Sequence, residues 1–261
     1  VSERPIRRSI LGASLLTSAL AGCGPATPMV TPHTVPPEAV AKYSMAETIL
    51  NELCEKSPDF ARGLGLHERD GQIADYSRQG IAARIAWLHE ARKRLDAEPS
   101  PTPGSFDASL DKSLMRLEID QELFHIEELD EWEKRPSYYG ELFTVDGYLN
   151  RDYAPLEARV GKMVEHLEKA KAQVPNVLAN LKGPMSRPVV ETAVKIYRGY
   201  AEYLEGDALT LVAPLRDRSL AARAEGLCHE LARAAKEIAD HLEKDELPRS
   251  DASHVLGAER F

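Results

Sequence analysis

Three His-Glu pairs stand in this sequence, at His67-Glu68, His89-Glu90 and His229-Glu230, and such a pair is how a zinc-binding helix can begin. That helix needs a second His four residues on, because positions i and i+4 share a face and can hold one metal. The fourth position here is Gly71, Lys93 and Arg233 in turn. A cation at that place repels Zn²⁺, so none of the pairs is assigned a metal. Glu122-x-x-His125 matches one unit of a di-iron bundle site, which needs a second such unit and two further Glu residues from facing helices. No second unit is present. The acids from Glu118 to Glu133 read as the solvated face of a long helix, without the spacing or turn Gly of a calcium loop. A nucleophile elbow, a phosphate loop and a Cys-x-x-Cys pair are also missing from the sequence.

The remaining candidate is a cluster of titratable side chains, His67, Glu68, Asp70, Asp75 and Tyr76, inside the stretch Leu64 to Ser77. Gly65 and Gly71 interrupt any helix there, each costing about 1 kcal/mol against Ala in a helix interior. Asp70-Gly71 is a turn dipeptide, because Gly takes positive φ freely and Asp bonds its own backbone. Ser77 is placed to cap the next helix with its hydroxyl. A loop held between two helices can line a cleft, and these residues are the candidate lining. The same stretch also reads as a self-bonded connector.

The flanking segments are helical throughout, so the fold class is all-α, an irregular bundle of about six main helices. The first opens after Pro36-Pro37 and carries Ile49, Leu50 and Leu53 on one side. The second is expected from about Ser77 to Glu98, with Ile81, Ile85, Leu88 and Leu95 in its stripe and Trp87 beside them. The third is expected from about Phe106 to Lys134, with a stripe of Leu110, Leu114, Leu117 and Phe124 that Leu123, Ile126 and Leu129 widen into an apolar face meant for more than one neighbour. A fourth starts at Pro155 and carries Leu156, Val160, Met163 and Leu167, until Pro175 kinks or ends it. The fifth begins near Pro188 with Val190, Val194, Tyr197, Ala201 and Leu204. The sixth spans about Ser219 to Lys244 with Leu227, Leu231, Ile238 and Leu242.

The ordered set of short segments is similar to a known family. Ser57-Pro58-Asp59-Phe60-Ala61 and the loop after it resemble the opening of the bacterial family called domain of unknown function 885. The likeness continues through Arg135-Pro136-Ser137-Tyr138-Tyr139, Tyr153-Ala154-Pro155-Leu156-Glu157-Ala158-Arg159, Asn180-Leu181-Lys182-Gly183-Pro184 and Leu256-Gly257-Ala258-Glu259-Arg260-Phe261. Members of that family are longer, mostly helical and zinc metallopeptidase-like, with His-Glu-x-x-His on a helix in their second half. The resemblance therefore implies an amino-terminal half that is scaffold and one wall of a substrate cleft, not catalytic alone. It assigns this chain no catalytic residue, metal ligand or cofactor, and expects zinc only in the downstream half. Its implied partners are a peptide substrate or that complementary half. The rival reading is a free-standing helical lipoprotein that holds a peptide or protein partner.

The chain begins with an address. Arg4, Arg7 and Arg8 precede an apolar run from Ile10 to Leu20, too short for the roughly 20 apolar residues that span a bilayer. The run ends in Leu20-Ala21-Gly22-Cys23, which resembles a lipoprotein signal, so residues 1–22 are expected to be removed and Cys23 to carry lipid. Residues 23–37, with Pro25, Pro28, Pro32, Pro36 and Pro37, form an extended tether, and 38–261 the helical domain. The expected place is the bacterial cell envelope, on the periplasmic face of the outer membrane in a two-membrane organism. With Cys23 lipidated, Cys54 and Cys228 either pair or stay as buried thiols. At 261 residues, 43% hydrophobic and 29% charged, the composition is that of ordinary globular protein. A net charge of −9 and no basic patch argue against nucleic acid as a partner.

Overall fold

The computed structural model describes residues 45–99, 106–182 and 185–251. Cys23, the signal, the tether and the closing Leu256–Phe261 segment lie outside the described residues. The fold is all-α: no strand occurs among the described residues, and the sole extended pairing there is a bridge between Ser186 and Asp251. None of the described helices is long and apolar enough to cross a membrane.

The six expected main helices are α1 (Met45–Lys56), α3 (Arg78–Ala97), α4 (Phe106–Leu123), α7 (Leu156–Asn180), α8 (Arg187–Glu205) and α10 (Arg218–His241). Between them lie shorter pieces: α2 (Pro58–Gly63), α5 (Glu131–Lys134), α6 (Asp146–Asn150) and α9 (Asp207–Val212). Tight 3₁₀ turns occupy His67–Arg69 and Pro136–Phe143. The expected cap is present, since the Ser77 hydroxyl accepts the Gly80 N–H at 3.0 Å and starts α3.

Two apolar clusters hold the bundle. The larger joins α7, α8 and α10 with the 136–149 segment. Its stripes are those of the sequence: Val190, Val194, Tyr197, Ala201 and Leu204 on α8, and Leu227, Leu231 and Ile238 on α10, are all buried. Ala224, Ala232 and Ala235 lie on the same face of α10 and let its neighbours approach closely. The smaller cluster gathers Ile49 of α1, Ile81, Leu88 and Leu95 of α3, and Met115, Ile119 and Leu123 of α4. Cys54 and Cys228 are both buried free thiols. Burial raises the Cys228 pKa to about 12.

Three helix expectations are corrected. The third helix does not run to Lys134. After Leu123 it widens into a π turn over Phe124–Glu128, and Asp130 at φ 51°, in the left-handed region, breaks the helix before α5. The buried face is also shifted: Leu123 and, in the π turn, Ile126 point inward as part of the expected wide face, but their buried companions are Met115 and Ile119. Leu110, Leu114 and Leu117 are 43%, 55% and 54% exposed. Two apolar stripes compete on this helix, and the one with Ile and Met wins the contact with α1 and α3. Pro175, finally, lies inside α7 without ending it. Its missing N–H costs one backbone bond, while buried Ala170 and Val177 keep both sides of it on the core.

Candidate functional site

The loop from Leu64 to Ser77 is clamped onto α7. Gly71 stands at φ 77°, and a Cβ there would lie 2.9 Å from Cβ of Glu165 and 3.2 Å from the Lys162 carbonyl. Only glycine brings the loop this close. Lys169 Nζ donates to the Gly71 carbonyl and to Gln72 Oε1, both at 2.7 Å. Further along, Tyr76 N–H donates to Gln173 Oε1 at 3.2 Å, and Asn180 Nδ2 donates to the Tyr76 carbonyl at 2.7 Å. These bonds fix the loop along one face of α7.

Beneath the loop runs a buried polar chain. His166, on the core stripe of α7, donates from Nε2 to the Glu141 carbonyl at 3.0 Å. Its Nδ1 then takes the Tyr148 hydroxyl at 3.4 Å, and that hydroxyl accepts the Gly71 N–H at 3.1 Å. Burial, with Arg62 nearby, lowers the His166 pKa to about 3, so the ring is neutral and the tautomer follows from its two bonds. Burial also raises Tyr148 to about 12. The Glu141 carboxylate accepts from Arg62 Nη2 at 3.1 Å, from the Tyr76 hydroxyl at 2.9 Å and from Ala74 N–H at 3.3 Å. Desolvation pushes its pKa up, against the pull of Arg62.

Over this chain lies a cavity of about 240 Å³ between α2, the loop and α6. His67 and Asp70 line it with Arg62, Glu141, Tyr148 and Tyr153. The His67 ring stacks flat on Tyr153, with centroids 3.4 Å apart and 5° between planes. Asp70 is buried: its Oδ2 accepts the Tyr153 hydroxyl at 2.6 Å and lies 3.2 Å from His67 Nδ1. Desolvation and the bond to Asp70 push the Tyr153 pKa far above the usual phenol value. Arg159 is buried beside it, donating to the Ala154 and Tyr148 carbonyls at 2.7 Å. This explains the Tyr153–Arg159 segment: its Arg ties the chain entering α7 back onto α6.

The predicted residues therefore divide. His67 and Asp70 share the cavity. Tyr76 and Asp75 line a neighbouring space of about 430 Å³ between the loop, α1 and α3. There they act as fasteners: Asp75 Oδ1 accepts the Ser77 N–H at 2.9 Å, the largest cause of its lowered pKa. Glu68 is exposed and lines neither space. Arg62, Glu141, Tyr148, Tyr153 and His166 were missed by sequence reasoning. Two of them carried a legible signal: His166 sits within the apolar stripe of Met163, Leu167 and Ala170, and Glu141 directly precedes Leu142-Phe143.

The Asp70–His67 pair has the form of an oriented general base. No Ser or Cys among the described residues lines the cavity to accompany it, and the Thr144 hydroxyl donates to the Gly140 carbonyl. Among the described residues no three His, Cys, Asp or Glu side chains converge as a metal-ligand set. What the arrangement offers is a wall of donors and acceptors held in place by their mutual bonds.

A solved protein of Shewanella oneidensis, described as a lipoprotein of unknown function, has this fold, with a TM-score of 0.68 at 20% identity. The likeness covers 77% of this chain and 37% of that one, so the chain spans well under half of its neighbour's length. No curated protein matches the sequence. The family profile of bacterial proteins of unknown function, DUF885, matches residues 58–261, which takes in every segment of the site, and the chain belongs to that family.

Proposed function

We propose that this helical body is one wall of a substrate cleft in a metallopeptidase-like envelope protein, and that zinc and its general base are supplied from outside these residues. The observation that carries the reading is the cavity over the loop, with side chains fixed in advance by the chain through Tyr148, His166 and Glu141. Such preorganisation lowers the ordering cost of binding. The sequence resemblance to metallopeptidase-like lipoproteins supplies the substrate class, a peptide. Lipid on Cys23 would hold the body at the envelope, in keeping with the description of the Shewanella neighbour as a lipoprotein.

A photo-crosslinking residue placed at Arg151, an exposed position on the cavity lining, tests the reading in the full chain. Short peptides should be captured there and competed off by unlabelled peptide, without zinc-dependent cleavage. Capture that no peptide competes away would remove the cleft-wall role. Zinc-dependent hydrolysis by this chain alone would replace scaffold with enzyme.

One feature favours the second reading, a helical lipoprotein holding a protein partner. Leu110, Leu114 and Leu117 form an exposed apolar row on α4, of the kind that marks interaction surfaces. Polar substitution of that row separates the two readings, since partner capture should need it and peptide capture at Arg151 should not.

A further inference from the structure

Oδ1 of Asp70 is buried and accepts no hydrogen bond from the described residues. Its side chain is only 2% exposed, and Oδ2 is already taken by Tyr153 and faced by His67. Glu141, the other buried acid of the cavity, is satisfied on both oxygens. A buried acceptor left open costs on the order of 1–3 kcal/mol, and more when charged. Retaining one in the wall of a cavity points to a donor brought from outside.

Charge and size narrow the donor. Asp59, Asp70, Glu141 and Asp146 line the cavity against Arg62 and Arg151. Arg62 is engaged by Glu141 and by the Gln72 carbonyl at 2.9 Å, so the remaining lining is weighted to acid. A volume of about 240 Å³ is below the ~300–1,000 Å³ typical of small-molecule pockets. It admits an end group with a short stem rather than a whole ligand. A guanidinium favours a carboxylate with both oxygens open, and Asp70 has one to give. An ammonium carries three donors that need not lie in a plane, which suits single acceptors on separate segments. We infer that the cavity takes a primary ammonium group, from the free amino end of a peptide or a lysine-like side chain, with Asp70 as its principal acceptor. This deepens the cleft-wall reading and rests on it for the peptide.

The test is calorimetric titration of the full chain with tri-alanine amide, N-acetyl-tri-alanine amide and N-acetyl-lysine amide. At least one amine-bearing probe should bind about tenfold or more tighter than the acetylated tripeptide, a difference of ~1.4 kcal/mol. Which amine carries the preference identifies its source. Asp70→Asn should abolish the preference, and Asp146→Asn, at an exposed position, should weaken it while leaving the fold intact. The comparison among probes on the unaltered chain stands even if Asp70→Asn unfolds. Equal binding of all three would overturn the ammonium assignment and leave the cleft wall standing. Binding of the lysine probe but of neither tripeptide would keep the ammonium, assign it to a lysine-like side chain, and leave the crosslinking at Arg151 to decide the cleft. No binding of any probe would overturn the ammonium site, leaving the crosslinking at Arg151 to decide the cleft.

Discussion

The Tyr153 hydroxyl donates to Asp70 at 2.6 Å across 83 positions of sequence, while the Tyr153 ring lies flat against His67. One side chain thus holds both predicted cavity residues. A hydrogen bond to a buried carboxylate contributes roughly 1.5–3 kcal/mol, so Tyr153→Phe should lower stability by about that much. His67→Gln should cost less, since stacked ring pairs contribute ~0.5–1.5 kcal/mol. Chemical denaturation of both variants and their double mutant should show clear coupling. Strict additivity would mean that the three side chains do not act together.

The two loop glycines should respond differently to one substitution. Both stand at positive φ, Gly65 at 83° and Gly71 at 77°, but a Cβ on Gly65 meets nothing within 4 Å. Gly65→Val should cost the left-handed backbone alone, ~1–2 kcal/mol. Gly71→Val adds a collision with Glu165 and should cost clearly more. Thermal melts that rank them equal would refute the clamp on α7.

Acid should weaken the fold through His166. Its pKa is about 3 in the folded chain, against ~6.5 for a free imidazole. The unfolded chain therefore binds the proton first as pH falls. The stability His166 contributes is fully present above pH ~6.5 and is lost progressively as pH drops toward 3. Glu141, with a raised pKa, acts in the opposite sense. Unfolding free energies measured from pH 7 to 4 should fall less steeply for His166→Gln than for the unaltered chain. Identical slopes would show that the ring is not buried neutral.

How much of this could be read from sequence varies along the chain. The stripes of α8 and α10 were legible because each helix has a single apolar face, and Ser77, Gly65 and Gly71 because capping and positive φ are local properties. The break at Asp130 was not, since neither Gly nor Pro marks it within a run of acids. The α4 face was ambiguous because Leu110, Leu114 and Leu117 match a helical period as well as Met115, Ile119 and Ile126 do. Of the candidate site, His67 and Asp70 were legible as a cluster. Their partners Arg62, Glu141, Tyr148 and Tyr153 come from other segments, and only tertiary packing brings them together.

The α4 assignment has its own test. Leu114→Ser and Leu117→Ser should change stability by ~0.5 kcal/mol or less, as exposed substitutions usually do. Ile119→Ala should cost ~2–5 kcal/mol through lost burial and a cavity. The opposite ranking in urea denaturation would mean that the helix is rotated.

The amino-terminal expectation is checked on the mature protein. Cys23 should be its first residue and carry a diacylglyceryl group, a hold stronger than the marginal ~10⁴ M⁻¹ of a single myristoyl chain. Mass spectrometry of membrane-extracted protein should find that mass. An unmodified protein starting elsewhere would remove the anchor.

The division of the bundle into two apolar clusters bears on how it opens. Cooperative unfolding needs a shared core, and here the α1, α3 and α4 cluster is distinct from that of α7, α8 and α10. The smaller cluster can lose order while the larger stays intact, as sub-global units do in native proteins. Amide exchange should then protect α8 and α10 to the global limit and release α3 and α4 at lower free energy. Arg62 and Asp70, carried by the chain between α1 and α3, face Glu141 and Tyr153 on the larger cluster's side. A ligand gripping both sides would therefore suppress the partial opening, and the two exchange classes would merge into one.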